Sequence, residues 1–402
     1  MNTTKGNSLN ETRRLNRILI KSYIFRMGIT TRADIAHSLD LTLPTITTSV
    51  NEMIRERILE EVPLPEEKLQ TGSGRKPVGI SFIKDSALSI GIELGPYATR
   101  IVLSDLYGNI LYDIEEVAPN ENYKLLLKDL TLEISNIIDS FKQKNIVGIA
   151  VGLPGFISSE DGIIRSNMRK DWIGHTLAKD LQEECKLPVI IDNNVRFRAM
   201  GYSIQSGKLI PDSFAYLYIS RGLACPIMVK HNVISGYHSA SGEVGHSTIL
   251  INTGDEIIEK TADELIGEEV LIKKCRELLK SGKAPILKNI CGSENTLMFS
   301  HIINAQADGD MDVSEVIEQS IYYLGIVLSN TVNLINPGVV IVDGYIMKNQ
   351  VNRATLLEVA HKHFFSLNKE EVTIIFKPFD HFFGAKGAAL SAIQKFFIEK
   401  QQ

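Results

Sequence analysis

Between Thr42 and Asn51 the outward positions carry short hydrogen-bonding side chains, Thr42, Thr45, Thr47, Thr48 and Asn51, and the stretch has neither Lys nor Glu. A solvated helix face is ordinarily rich in Lys and Glu, whereas short hydroxyl and amide groups suit base edges and phosphates in a DNA groove. Downstream, Gly72-Ser73-Gly74-Arg75-Lys76-Pro77 sets flexible backbone beside two cations. Gly74 lets the backbone approach a duplex closely, and Arg75 and Lys76 suit a narrow minor groove or its phosphates. The same stretch also reads as a plain flexible linker, and the threonine-rich stretch as an ordinary solvated surface. With Arg32 and Pro44, these residues form the predicted DNA-contacting set. Residues 1–80 hold 12 Lys and Arg against 9 Asp and Glu, while the rest of the chain holds 31 against 39, within a net charge of −5. Only the first segment has the sign expected at nucleic acid.

The elements that must position these groups follow from periodicity. Thr12 to Met27 repeats apolar residues at spacings of three and four, and Gly28 ends that helix. A short second helix spans Thr31 to Leu39. Asp40-Leu41-Thr42 forms a tight connection, and Leu43-Pro44 opens a third helix with Ile46, Val50, Met53 and Ile54 as its buried stripe. Two short helices joined by such a turn make a helix-turn-helix, whose second helix enters a major groove. The strand Val78–Phe82 closes a hairpin that serves as a wing, so residues 1–84 are predicted to form a winged helix-turn-helix.

From Ala87 onward, apolar strands alternate with amphipathic helices. Strands are predicted at 88–94, 100–104, 109–112 and 147–151, with a helix over 123–144, which implies an α/β fold with a mixed sheet. At roughly 150 residues per domain, 402 residues predict two or three folded units. Hydrophobic residues at 44% and charged residues at 23% are ordinary for a globular protein, and no apolar run approaches the roughly 20 residues needed to span a bilayer. The polar stretch Met1 to Asn16 lacks the apolar core of a secretory signal, so a cytoplasmic protein without membrane contact is expected. Cys185, Cys225, Cys275 and Cys291 are scattered, with no C-x-x-C pair and no metal-ligand spacing. They are expected to act as small buried hydrophobes, with no metal and no cofactor.

Six short stretches then stand out together: Gly91-Ile92-Glu93-Leu94-Gly95, Gly152-Leu153-Pro154-Gly155, Ile191-Asp192-Asn193-Asn194, Gly242-Glu243-Val244-Gly245-His246, Asn336-Pro337 and Gly384-Ala385-Lys386-Gly387-Ala388-Ala389. In that order the chain resembles the ROK family of repressors and sugar kinases, in particular its xylose-repressor and N-acetylglucosamine-repressor branch, which adds an N-terminal winged helix-turn-helix. The resemblance implies a two-lobed, actin-like ATPase (ribonuclease H-like) fold. Lobe 1 would span 85–194, completed by a C-terminal helix at 384–402, and lobe 2 would span 195–383. It further implies sugar contacts from Gly155, Asn167, Asn193, Asn194, Glu243 and His246, with Glu259 matching a further family carboxylate. His246 alone also reads as a structural histidine.

The departures from the family pattern bear on chemistry. Its first phosphate loop, Asp-x-Gly-Gly-Thr-Lys, is here Glu93-Leu94-Gly95-Pro96-Tyr97-Ala98, which loses an N–H at Pro96 and the cation at Ala98. Its second, Gly-Thr-Gly-Ile-Gly-x-Gly, is here Ser220-Arg221-Gly222-Leu223-Ala224-Cys225-Pro226. Ile341-Val342-Asp343-Gly344-Tyr345 replaces a family pattern near the adenosine that usually ends in two glycines, so Tyr345 would fill nucleotide space. Asn194 replaces the Asp that accepts the sugar hydroxyl's proton, and an amide cannot act as that base. No cysteine follows His246 at the family's zinc spacing. The expectation is therefore a DNA-binding transcription regulator, a repressor rather than an enzyme, with no catalytic residue. Its degenerate kinase region senses a sugar in a homodimer or homotetramer that binds a double-stranded operator. The rival reading is an active ROK sugar kinase with an appended DNA-binding domain, and a third is a regulator without any ligand.

Overall fold

The computed structural model describes residues 9–65, 78–158, 161–254, 256–365 and 371–400. The chain divides into two compact units, one of residues 1–210 with 382–402 and one of residues 211–381.

Unit 1 opens with α1 (Leu9–Met27), β1 (Thr30–Thr31), α2 (Arg32–Leu39), α3 (Leu43–Arg55), β2 (Leu59–Val62) and β3 (Gly79–Phe82). Gly28 ends α1 in the left-handed region. Thr31 and Asp34 then start α2 through a reciprocal cap, in which each side chain accepts the other's backbone N–H. Asp40 closes α2 at φ 51°, and the Leu41 N–H reaches back 3.0 Å to the Ala36 carbonyl. Thr42 caps α3, and Pro44 sits in its first turn, where a missing N–H costs nothing. The three strands pair antiparallel in the order β1-β3-β2. Ile20, Ile24, Ile35, Ile46, Val50, Met53 and Ile80 are fully buried under them. That core is continuous with Leu390, Ile393 and Ile398 from the far end of the chain.

The second sheet of unit 1 contains β4 (Leu88–Leu94), β5 (Ala98–Ser104), β6 (Ile110–Val117), β7 (Ile146–Leu153) and β10 (Val189–Asn193) in the order β10-β7-β4-β5-β6. β10, β7 and β4 run parallel, and β5 and β6 antiparallel, the mixed sheet that alternation of strands and helices predicts. The helices α4 (Tyr123–Ser140) and α5 (Leu177–Cys185) bury their apolar stripes on it. A short pair, β8 (Phe156–Ile157) with β9 (Ile164–Ser166), leads out from β7. α6 (Asn194–Ser206) follows β10 directly.

Unit 2 has a sheet of order β14-β13-β11-β17-β18, with β12 paired to β11. These are β11 (Phe214–Ile219), β12 (Leu223–Ala224), β13 (Ile227–Val229), β14 (Asn232–Val233), β17 (Val339–Gly344) and β18 (Thr373–Phe376). A separate ribbon pairs β15 (Thr248–Asn252) with β16 (Ile257–Thr261). The helices are α7 (Asp263–Ile266), α8 (Glu268–Lys280), α9 (Pro285–Cys291), α10 (Phe299–Ala307), α11 (Met311–Ile335) and α12 (Gln350–Lys362). Their core is built around the buried stripe Val313, Ile317, Ile321, Leu324 and Leu328 of α11.

The chain then returns to unit 1 through α13 (Phe383–Ile393) and a π-helical turn, Gln394–Ile398. The sequence reading divides the lobes after residue 194, whereas the compact units divide after 210. The physical reason is a crossing of α6 and α13 at glycine: a Cβ on Gly201 would stand 2.5 Å from the Gly387 Cα, and one on Gly387 2.3 Å from the Phe197 carbonyl. α13 also lies against β4, where a Cβ on Gly91 would be 1.9 Å from the Ala385 carbonyl oxygen. Among the described residues no helix is long and apolar enough to cross a membrane.

Candidate functional site

Two groups of residues carry the chemistry, and the first is the outer surface of α3. Ile46, Ser49, Val50 and Met53 are buried, which turns Thr48 and Asn51 outward with the cap Thr42 and Pro44, while Thr45 and Thr47 are half-buried. The Thr42 and Thr45 hydroxyls lie 2.9 Å apart, and the Thr42 hydroxyl also accepts the Thr45 N–H at 3.4 Å. Arg32 donates to Asn51 Oδ1 at 2.9 Å and to Glu61 Oε1 at 2.8 Å, which draws the start of α2, α3 and β2 together. Gly74, Arg75 and Lys76 lie outside the described residues. Behind this face, Arg13 pairs with Glu52, and Arg17 with Glu56, so α1 holds α3 by charge as well as by core packing.

The second group begins in unit 1. Gly155 turns the chain after β7 at φ +103°, close against the Ser166 carbonyl, where any side chain would collide. Asn167 donates to the Pro154 carbonyl at 2.7 Å, and Asn193 to the Gly155 carbonyl at 3.1 Å while capping α6 through the Val195 N–H. Asn194 opens α6, 7% exposed, with its Nδ2 3.3 Å from Glu93 Oε1. The loop after β4 is a tight turn in which the Gly95 N–H is bonded to the Ala98 carbonyl at 2.9 Å. That N–H is thereby engaged, Pro96 has none, and the Tyr97 side chain projects from the turn about half exposed.

In unit 2 the loop from Ser220 to Pro226 is tied both to itself and to neighbouring segments. The Ser220 N–H bonds the Gly222 carbonyl, the Leu223 N–H the Asp263 carboxylate at 2.7 Å, and the Cys225 N–H the Gly242 carbonyl at 2.7 Å. These three N–H groups are thereby engaged within the protein. Glu243 precedes and His246 ends a 3-10 turn, Val244–His246, and both are exposed. Gly245 packs on Asp263, whose burial pushes its carboxyl upward against the opposing pull of the Leu223 N–H and of His246. These contacts hold the turn where the family pattern has zinc ligands. Among the described residues no group of three His, Cys, Asp or Glu could hold a metal ion. Glu259 stands exposed on β16 opposite Leu250. Tyr345 packs against Phe299 and Phe379 at centroid distances of 6.2 and 5.0 Å. Cys225, Cys275 and Cys291 are buried, and Cys185 is half-buried.

Three residues of these sites escape the sequence reading. Arg198 and Asp263 become visible only once α6 and the β15–β16 ribbon are folded. Lys21 has the spacing of an ordinary helix residue, yet it is 7% exposed and donates to the Phe397 carbonyl.

A sequence model of the ROK family matches residues 89–395. The chain belongs to the ROK family. Among its ROK relatives, the xylose repressor of Bacillus subtilis (strain 168) is 27% identical over 84% of each chain. The DNA-binding transcriptional dual regulator NagC of Escherichia coli (strain K12) is 24% identical over 83% of this chain and 81% of its own. A glucokinase of Halalkalibacterium halodurans is 25% identical over 68% of this chain and 84% of its own. Of solved structures, a ROK family transcriptional regulator described as a homologue of the E. coli MLC protein superposes with a TM-score of 0.79 at 21% identity, over 96% of this chain and 98% of that one. A ROK glucokinase from Streptomyces griseus, in complex with glucose and AMPPNP, superposes at 0.67 and 17% identity, over 76% and 99%. The fold is thus the actin-like α/β fold of ROK proteins.

Proposed function

We propose that this ROK protein is a transcription repressor that binds a double-stranded DNA operator through an N-terminal winged helix-turn-helix and responds to a sugar that it does not phosphorylate. α2, the turn at Asp40 and α3 form the helix-turn-helix, with Arg32, Thr42, Pro44, Thr45, Thr47, Thr48 and Asn51 at the groove. The strands β2 and β3 are the base of a wing that carries Gly74, Arg75 and Lys76. The observation that carries the reading is the outward row of Thr and Asn on α3, fixed by the burial of Ile46, Val50 and Met53 on its other side. Repressors of similar length among the relatives support it.

By family resemblance, Gly155, Asn167, Asn193 and Asn194, together with Glu243, His246 and Glu259, are the proposed sugar contacts. Binding without turnover is supported by Asn194, an amide at the position of the proton acceptor, and by the Gly95, Leu223 and Cys225 N–H groups of the two loops, which already have partners within the protein. The protein works in the cytoplasm as a homodimer or homotetramer, matching a palindromic operator. Fluorescence anisotropy with the protein's own upstream DNA, titrated with pentoses and hexoses, tests regulation directly. Radiolabelled phosphate transfer from ATP to the same sugars tests the rival kinase, and sugar-dependent ATP consumption would overturn the proposal.

A further inference from the structure

The residues that unit 1 offers to a sugar are electrically self-contained. Glu93 on β4 and Arg198 on α6 are each 2% exposed. Arg198 Nε donates to Glu93 Oε1 at 3.0 Å, and Nη2 to Oε2 at 2.9 Å, so the guanidinium fork satisfies both carboxylate oxygens. Gly384 provides the room, since a Cβ there would stand 2.2 Å from the Glu93 carboxyl carbon. The third donor is Asn194 Nδ2. A carboxylate only accepts, so the amide NH2 must face Glu93 and Asn194 Oδ1 is turned away from it, an acceptor presented to whatever occupies the site.

The neighbouring guanidinium groups have partners of other kinds. Arg196 pairs with Asp192 at 3.2 Å. Arg169 donates to the Pro119 and Pro96 carbonyls and lies over the Trp172 ring. What this face holds for a ligand is amides and backbone. A phosphate or carboxylate brought to Asn194 would lose its water and find the Arg198 guanidinium already neutralised by Glu93.

We propose that Arg198 is a positioning and specificity-determining residue: by neutralising Glu93 it sets Asn194 with its carbonyl oxygen toward the ligand and restricts the effector to an uncharged sugar, excluding sugar phosphates and sugar acids. This rests on the reading that the protein binds a sugar. Breaking the pair on its acidic side leaves an uncompensated guanidinium beside Asn194. Replacing both partners by apolar groups of similar length leaves the packing intact and removes the group that turns the amide.

Calorimetry on the full-length protein supplies the test, with neutral pentoses and hexoses, their phosphate esters and the corresponding uronic acids as probes. A neutral sugar is expected to bind, and its phosphate ester and uronic acid to bind about 100-fold more weakly or worse. Glu93→Gln is expected to narrow that gap by about tenfold or more, because the Arg198 charge loses its neutralising carboxylate and becomes available to an anion. Should that variant not fold, the double variant Glu93→Met with Arg198→Met is expected to keep the melting temperature while neutral-sugar affinity falls about tenfold. Preferred binding of phosphorylated or acidic sugars, or unchanged affinity in the double variant, would overturn this inference and leave sugar sensing intact. A protein that binds none of the three classes would overturn sugar sensing itself.

Discussion

Thr42 shows how one side chain serves structure and surface together. Its hydroxyl caps α3 and touches the Thr45 hydroxyl, so Thr42→Ala is expected to cost about 1 kcal/mol of stability as well as any DNA contact. Thr48 is the cleaner probe, since it is exposed on the outer surface of α3. Thr48→Ala should weaken operator binding by about 1 kcal/mol or more and leave the melting temperature unchanged, and equal operator affinity in anisotropy would exclude Thr48 from the reading surface. Glu268 belongs to a different class of residue. Burial lifts its carboxyl from 4.5 to about 7, against the lowering effect of the Ser220 hydroxyl. The folded protein therefore retains a proton that the unfolded chain releases. Stability on this account declines as pH climbs from about 4.5 to about 7, by a few kcal/mol at most, and levels off above. Glu268→Gln should flatten that decline, as read by denaturant midpoints at pH 5 and pH 8.

At the scale of elements, glycine decides which helices touch. α13 approaches β4 at Gly91 and α6 at Gly201 and Gly387, distances that no Cβ tolerates. Gly387→Ala is expected to destabilise the protein by about 2 kcal/mol or more, because the new methyl meets backbone rather than a movable side chain. A melting temperature equal to that of the natural protein would show that the crossing relaxes freely. The Gly-Ala-Lys-Gly-Ala-Ala stretch is recognisable in the sequence as a family signature. Its role as the close-packed axis of unit 1 is not, because three contact partners far apart in sequence share it.

At the scale of the whole molecule, the notable feature is how the two chain ends meet within unit 1. Phe82 lies 6.5 Å from Phe25 and 6.2 Å from Phe397 between ring centroids, and the Tyr107 hydroxyl bonds the Phe82 N–H and carbonyl at 3.1 Å each. The Lys21 ammonium sits over the Phe397 ring, its pKa pulled down to about 8 by burial and by Arg17. Helices proposed to read DNA are thus anchored on the last turns of the chain. Phe397→Ala is expected to lower the melting temperature and to weaken operator binding although the residue lies far from α3. Unchanged operator affinity, measured by anisotropy on folded protein, would show that the anchoring plays no part in DNA binding.

Local rules are what the sequence by itself determined. Periodicity, caps and turn residues placed α2, α3 and four of the five strands of the mixed sheet but not β10, with α1 beginning one turn earlier than its apolar pattern suggests and α4 ending at Ser140 rather than Lys144. Family motifs marked Asn193, Asn194, Glu243 and His246, and the missing glycines and the amide at 194 were legible without coordinates. The tertiary structure alone decided which charges meet. Arg198 reaches Glu93 across 105 positions of sequence, Lys21 reaches the Phe397 carbonyl across 376, and Asp263 takes the Leu223 N–H across 40. Helix and strand patterns follow from neighbours a few residues apart, whereas the pairing of buried charges depends on elements whose separation only the folded chain sets.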